Sequence, residues 1–330
     1  MAKWTQQHWM QRMGAVALLA LGACAASPLP PPAADAPAEE GPAFLWSVED
    51  PDGDRARLYL MGSVHLLRDG TSLPGSVQAA IESTRVLAVE VDTTQVDERT
   101  LQHAIQTRGV RTDGLPVEAQ LPEALRPHLR EALAEAGLPR EASLAMRPWV
   151  LSLVLSMQHA NRAGFGQQHG VETRLLSRLR ESHRVVEVEG LAAQVASLAD
   201  TPDEAYQFAI EHDLARGAQA ATEELEALVR AWEAGDVAAM EAMVFAGEAD
   251  PRAQVLLEHV YRKRNAQMAE QVVGLLEAGE PALVVLGAAH MVGPQGIPSL
   301  LRERGFKVRQ LGRSRASLEA AGSQRASQVP

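Results

Sequence analysis

The chain nearly lacks cysteine. Its 330 residues include one, Cys24, close to the N-terminus. A lone thiol cannot close an internal disulfide, and a thiolate-based zinc site needs several thiolates or thiolates plus histidines. Aromatic residues make up only 4% of the chain, so aliphatic side chains must fill the core. Positive charge is in deficit: 31 Lys and Arg stand against 42 Asp and Glu, a formal net charge of -11. No basic stripe is visible of the kind that follows a nucleic-acid backbone, so no nucleic acid is expected as a partner. Long apolar runs are also missing. The one candidate, in Met13-Gly14-Ala15-Val16-Ala17-Leu18-Leu19-Ala20-Leu21-Gly22-Ala23-Cys24, is too short to span a bilayer. There is no G-x-S-x-G elbow, no H-E-x-x-H helix and no P-loop. These absences argue against an elbow-type serine hydrolase, an ordinary zincin and a P-loop nucleotidase.

What is present begins with an address. Lys3 and Arg12 precede the short apolar run, which ends in small residues, and this order reads as a secretory signal over residues 1–23. Leu21-Gly22-Ala23-Cys24 resembles a bacterial lipobox, which would make Cys24 the lipidation site and account for the only cysteine in the chain. An ordinary signal peptide with an incidental Cys is the plainer reading. Residues 24–42 are rich in Ala and Pro and read as a lipidated tether. The expectation is an exported protein held at the periplasmic side of the envelope, at the outer membrane, through its N-terminal lipid. Residues 313–330 read as a flexible tail, which leaves one folded domain over 43–312.

Within that domain, hydrophobic content of 46% is ample for a sizeable core. Arg57–Gly62, Arg85–Val91 and Pro281–Gly287 read as buried strands, His183–Val188 and Phe306–Leu311 as further strands. Helices are expected at Pro74–Ser83, Leu121–Ala136, Trp149–Arg162, Gly170–Arg180, Pro202–Trp232, Asp236–Phe245, Ala253–Ala278 and Ile297–Arg304. This order predicts an α/β (α+β) fold. Its centre is a mixed, largely parallel sheet covered by helices, with a large helical insertion or cap near Leu121–Met268.

Three of the apolar strands end in polar residues. The first ends Gly62-Ser63-Val64-His65, the second Val89-Glu90-Val91-Asp92 and the last Leu286-Gly287-Ala288-Ala289-His290. Ligands of open α/β sheets bind outside the carboxyl ends of strands. If these strands are parallel neighbours, His65, Glu90 and His290 converge there, with Gly62 and Gly287 letting the backbone come close to a ligand. Two imidazoles and a carboxylate suffice as a first shell for a divalent metal and leave positions for water. A metal so held would lower the pKa of its water and make a nucleophile. Without a metal, a His–Glu pair can still serve as general base and orienting group. Taken singly, a G-x-x-H is weak, and Glu90 as a simple exposed strand end is a real alternative. Asp92 reads as a turn or cap residue.

The paired motifs also carry a resemblance. Tyr59–His65, Leu87–Asp92, Arg147-Pro148-Trp149, Gly170-Val171-Glu172, Trp232–Asp236, Arg264-Asn265 with Gln267-Met268, Val285–Pro294 and Gly305–Val308 resemble, in order, the markers of the TraB/GumN family. That family includes Tiki-like membrane-tethered metal-dependent proteases that use two G-x-x-H motifs and a glutamate. The resemblance implies a peptidase-like hydrolase with His65, Glu90 and His290 as metal ligands and catalytic groups. It implies Mn²⁺ or Co²⁺, with Zn²⁺ also suitable, and a peptide or small-molecule substrate. Glu172 stands where the family usually has Asp, one methylene longer, and is expected to support the site. Arg264, on a helix otherwise rich in apolar positions, could steady a carboxylate or a substrate oxyanion, though Arg262 and Lys263 beside it suit a surface salt bridge. Two other readings stand beside this one. One is a non-catalytic lipoprotein that captures a metal, haem or small ligand in the same cleft. The other is a metal-free His/Glu hydrolase.

Overall fold

The computed structural model describes residues 41–51, 58–111, 116–138 and 145–318. The expected signal, Cys24 and nearly all of the expected tether lie outside the described residues. Its strands are β1 (Pro42–Glu49), β2 (Leu58–Ser63), β3 (Val86–Val89), β4 (Arg184–Glu187), β5 (Ala282–Gly287) and β6 (Lys307–Gly312). The helices used below are α1 (Gly75–Ser83), α2 (Glu98–Arg108), α3 (Val117–Gln120), α4 (Arg126–Glu135), α5 (Pro148–Arg162), α6 (Val171–Leu179), α7 (Leu191–Asp200), α8 (Asp203–Glu233), α9 (Val237–Val244), α10 (Pro251–Leu257), α11 (Lys263–Ala278) and α12 (Ile297–Glu303).

The six strands form one mixed sheet in the order β4-β3-β5-β2-β1-β6, so the fold is α/β as expected. β4, β3, β5 and β2 run parallel, while β1 is antiparallel to both β2 and β6. β5 reads Ala-Leu-Val-Val-Leu-Gly, and every one of its residues is buried. A strand apolar on both faces belongs in the middle of a helix-covered parallel sheet, and β5 lies there, between β3 and β2. The edge strand β4 is correspondingly half exposed. β1 has no sequence expectation behind it. Its run Ala43–Glu49 is wholly buried, so it lacks the alternation that marks a half-exposed strand.

The helical middle is two pieces rather than one continuous cap. α6 and β4 return to the sheet, with Val171, Leu175, Leu176 and Leu179 in its core. The separate second core is built from Leu101, Ile105, Leu129, Leu133, Trp149, Leu151 and Leu155 on one side of that return, and Ala199, Tyr206, Ile210 and Leu214 on the other. α8 joins the two cores. Its first half supplies Leu214 to the cap and its second half supplies Trp232 to the sheet core. Between them the helix breaks at Gly217, whose φ of 79° suits glycine. The predicted helix at Leu121–Ala136 is a short 3₁₀ turn at Glu123–Leu125 followed by α4, since Pro122 and Pro127 leave only N-terminal positions suited to proline. Of the tail, residues 313–318 are described, and Leu318 is buried against the sheet core. The remainder lies outside the described residues. Among those residues no helix is long and apolar enough to cross a membrane.

Candidate functional site

Parallel pairing brings four strand ends to one edge. Ser63 of β2 is opposite Gly287 of β5, Val89 of β3 is opposite Val285, and Glu187 of β4 is opposite Val89. Each chain therefore leaves the sheet on the same side. His65 follows β2, Glu90 follows β3, Glu189 follows β4 and His290 follows β5 in a 3₁₀ turn at Ala288–Met291.

Gly287 is the point around which the site closes. A Cβ there would lie 3.3 Å from Glu90 Oε1, 3.4 Å from His290 Cδ2 and 3.4 Å from His65 Nε2. The two imidazoles and the carboxylate thus surround one small volume, kept open because the residue between them has no side chain. The backbone N–H of Gly287 also donates to Glu90 Oε1 at 2.6 Å. The φ of Gly287 is -51°, so the glycine supplies space and not a special backbone conformation. Gly62 does something else. A Cβ there would fall 2.4 Å from Phe44 Cδ1, and its carbonyl accepts the Trp232 indole N–H at 2.7 Å. It permits close packing of β2.

Glu90 is buried and heavily engaged. Its Oε2 accepts from Arg264 Nη2 at 2.9 Å and from Gln194 Nε2 at 3.4 Å. Burial by itself raises its pKa, but His290, Arg264, His65 and the Gly287 N–H together outweigh burial and hold it down at about 2. Arg264 is not on the surface. Its Nε and Nη2 also grip Glu189 side-on, both at 2.7 Å, and its side chain is 9% exposed. One guanidinium is thus shared by two buried carboxylates, which leaves the cluster with an excess of negative charge.

The imidazoles are held from behind by different devices. His290 Nδ1 meets Asn265 Oδ1 at 2.5 Å, and its ring lies nearly parallel to that of Tyr261, 5° apart in plane and 6.0 Å between centroids. Its Nε2 is 3.8 Å from Glu90 Oε1. Burial depresses the His290 pKa to about 4, against the pull of Glu90. His65 Nδ1 meets Glu172 Oε1 at 2.9 Å, and that oxygen also accepts the Ser63 hydroxyl. The Glu172 carboxylate raises the His65 pKa to about 9, more than offsetting the burial that lowers it. His65 is the solvent-facing member of the group, with 57% of its side chain exposed. The second oxygen of Glu172 is buried and has no hydrogen-bond partner among the described residues.

The structure therefore brings together His65, Glu90, His290, Glu172 and Arg264, with Gly287 among them. Asp92 lies outside the centre, where it accepts from Thr94 within its own turn and pairs with Arg180. Sequence reasoning missed Glu189, Gln194, Ser63 and Tyr261, and gave Asn265 no role. Glu189 was open to discovery, since it follows the fourth parallel strand as Glu90 follows the third. Tyr261 lies in, and Asn265 just after, a turn that no hydrophobic pattern reports. Glu258–Arg262 is a π-helical turn between α10 and α11, a feature often found at functional sites.

Among the described residues, no group of three or more His, Cys, Asp and Glu side chains is arranged to hold a metal ion. The donor chemistry nonetheless fits one. Both Nδ1 atoms are occupied by outside acceptors, the usual support of metal-bound histidines, while His290 Nε2 lies 3.8 Å from Glu90 Oε1 and His65 Nε2 borders the space at Gly287. A carboxylate offers about four acceptor positions, more than Gly287, Arg264 and Gln194 use at Glu90.

The fold and its edge define an α/β protein with a buried carboxylate between two imidazoles at the carboxyl ends of parallel strands. The chain belongs to the TraB/PrgY/gumN family, whose model matches residues 44–310. It is similar to the uncharacterized protein YbaP of Escherichia coli K12, 22% identical over 279 residues, 78% of this chain and 93% of that one. The uncharacterized protein YbaP of Shigella flexneri is also 22% identical, over 74% of this chain and 87% of its own length. No solved structure matches the chain.

Proposed function

We propose that this protein is a cell-envelope hydrolase, a divalent-metal-dependent peptidase whose active centre is His65, Glu90 and His290. The observation that carries the reading is the shared orientation of the two imidazoles. Each is fixed through Nδ1, and His65 Nε2, the His290 ring and Glu90 Oε1 all border the space above Gly287. His65 Nε2, His290 Nε2 and Glu90 Oε1 would hold the ion, and a bound Mn²⁺, Co²⁺ or Zn²⁺ would supply Lewis acidity and an acidified water. Arg264 and the Gly287 N–H keep Glu90 ionised and aimed. Glu172 and Asn265 orient the rings. The open face of His65 is where a peptide or small-molecule substrate would enter. Export and a lipid anchor at Cys24, with residence at the outer membrane, rest on Leu21–Cys24 and the apolar run before it.

A second reading, hydrolysis without metal, is favoured by one specific contrast. His65 is pushed up to about 9 and His290 down to about 4 on either side of Glu90. Two neighbouring groups driven apart in this way suit a general acid and a general base.

Elemental analysis of the purified full chain, before and after loading with Mn²⁺, Co²⁺ or Zn²⁺, separates the two. Near-stoichiometric metal that is lost in both His65→Ala and His290→Ala supports the first reading. Peptide or ester hydrolysis that persists in chelator, with no metal retained, supports the second. Retained metal or haem without turnover of any peptide or ester would leave a ligand-binding protein.

A further inference from the structure

His290 is bonded on one side by an amide whose own orientation is dictated elsewhere. Asn265 is fully buried, and its Nδ2 donates to the backbone carbonyl of Gln295 at 2.7 Å. A carbonyl oxygen can only accept, so the amide nitrogen must face Gln295 and the amide oxygen must face His290. Turning the amide over would set Oδ1 against the Gln295 carbonyl and leave two buried acceptors without a proton between them, which is costly. Asn265 Oδ1 also only accepts, and at 2.5 Å from His290 Nδ1 it requires the ring proton to be there. Tyr261 fixes the ring plane by stacking, and its own hydroxyl is tied to the Val292 carbonyl.

We propose that Asn265 is a positioning residue that holds His290 in the tautomer with its proton on Nδ1, so that Nε2 presents a bare lone pair to the 3.8 Å gap before Glu90 Oε1. The inference deepens the proposed function and rests on it for its purpose, although the tautomer exists whether or not the protein hydrolyses anything. The alternative tautomer has a ready partner. With its proton on Nε2, His290 would aim a donor at Glu90 Oε1 and could bond it once the 3.8 Å gap drew in. Asn265 prevents that closure. What remains is a pair of facing acceptors, an imidazole nitrogen and a carboxylate oxygen, which accept a divalent cation or the N–H or O–H of a polar reactant.

The test is long-range ¹H–¹⁵N correlation on the histidine-labelled full chain, with the His290 signals assigned by their loss in His290→Gln. The expected result near neutral pH is a protonated Nδ1 and a bare Nε2. A proton on Nε2, or an averaged mixture of tautomers, in the wild-type protein overturns the proposal without reference to activity. In Asn265→Leu the preference should move toward Nε2–H. In Asn265→Asp, whose buried acid must be protonated to take over the donation to the Gln295 carbonyl, an acceptor still faces His290 and the ring proton should remain on Nδ1. If the leucine variant does not fold, the wild-type spectrum and the aspartate variant still decide. Outer partners of this kind carry about 10–100-fold in metal affinity or activity. The leucine variant should lose that much Mn²⁺ affinity, and the aspartate variant should recover most of it. Equal Mn²⁺ affinity in wild type and Asn265→Leu, with the tautomer as expected, would sink the positioning role alone. Absence of metal from wild type together with the expected tautomer would count against the metal reading and leave this inference standing.

Discussion

Arg264 places a single guanidinium nitrogen, Nη2, 2.9 Å from Glu90 Oε2 and 2.7 Å from Glu189 Oε2. Two strand ends that are distant in sequence are thereby locked through one helix residue, and Glu90 is kept ionised although it is buried. Removing one partner of a buried ion cluster leaves an uncompensated charge, which costs about 3–5 kcal/mol. Arg264→Gln is therefore expected to lower stability in urea titration by about that amount. Glu189→Gln, which leaves Glu90 paired, is expected to cost less. A change below about 1 kcal/mol in Arg264→Gln would show that the triad does not hold these strand ends.

The two glycines of the paired motifs should fail differently. Gly62→Ala drives a methyl into the Phe44 ring and, as overpacking, is expected to destabilise by about 1–3 kcal/mol. Gly287→Ala approaches Glu90, His290 and His65 at 3.3–3.4 Å, a tight contact but without the overlap met at Gly62. It should cost little stability while abolishing metal binding or turnover. Thermal melts set beside metal content decide this, and equal losses of stability in both variants would contradict the assignment of Gly287 to the site.

Stability should fall on the acid side before the ordinary carboxylate range is reached. The folded pKa of His290 is about 4, below the unfolded value near 6.5. The unfolded chain thus takes up a proton that the folded protein refuses, and stability declines as pH drops from about 6.5 to about 4. Glu90, held at about 2, adds stability that is complete above its unfolded value and is lost as pH falls through about 2. Urea midpoints measured from pH 7 to 4 should drop in the wild type and less in His290→Gln. Parallel curves would mean that His290 is not buried in neutral form.

On the alkaline side the sign reverses. Glu172 raises His65 to about 9, so the attraction between them is fully present below the unfolded value near 6.5 and is lost as pH rises through about 9. Glu172→Gln should return the titration of His65, followed by its ring proton resonances, toward the ordinary range. Under the metal-free reading, the rate should be bell-shaped with limbs near 4 and 9, and this variant should pull the upper limb down. A His65 titration unchanged in Glu172→Gln would break the link between the two.

The outlines of the fold were legible because burial leaves a local mark. β2, β3 and β5 are unbroken apolar runs, and such runs bounded by glycine and proline read as central strands. The helices α1, α5, α6, α8 and α12 carry their periodicity and their stops in the residues themselves. β1 and α7 were not legible. β1 is buried on both faces without alternation, and α7 is a run of small apolar residues, Leu191–Asp200, with no capping side chain at its start.

The order of residues already marked which side chains could do chemistry, since a strand that ends at a polar residue fixes where that residue leaves the sheet. It marked His65, Glu90 and His290 as candidates for that reason. How those groups are tuned depends on the folded arrangement. The placement of β5 between β3 and β2 put Gly287 at the centre, the return of α6 and β4 to the sheet brought in Glu172 and Glu189, and the π turn before α11 set Tyr261, Arg264 and Asn265 behind the site. Hydrogen bonds and ion pairs across such separations depend on which elements become neighbours, and no local pattern of residues encodes that.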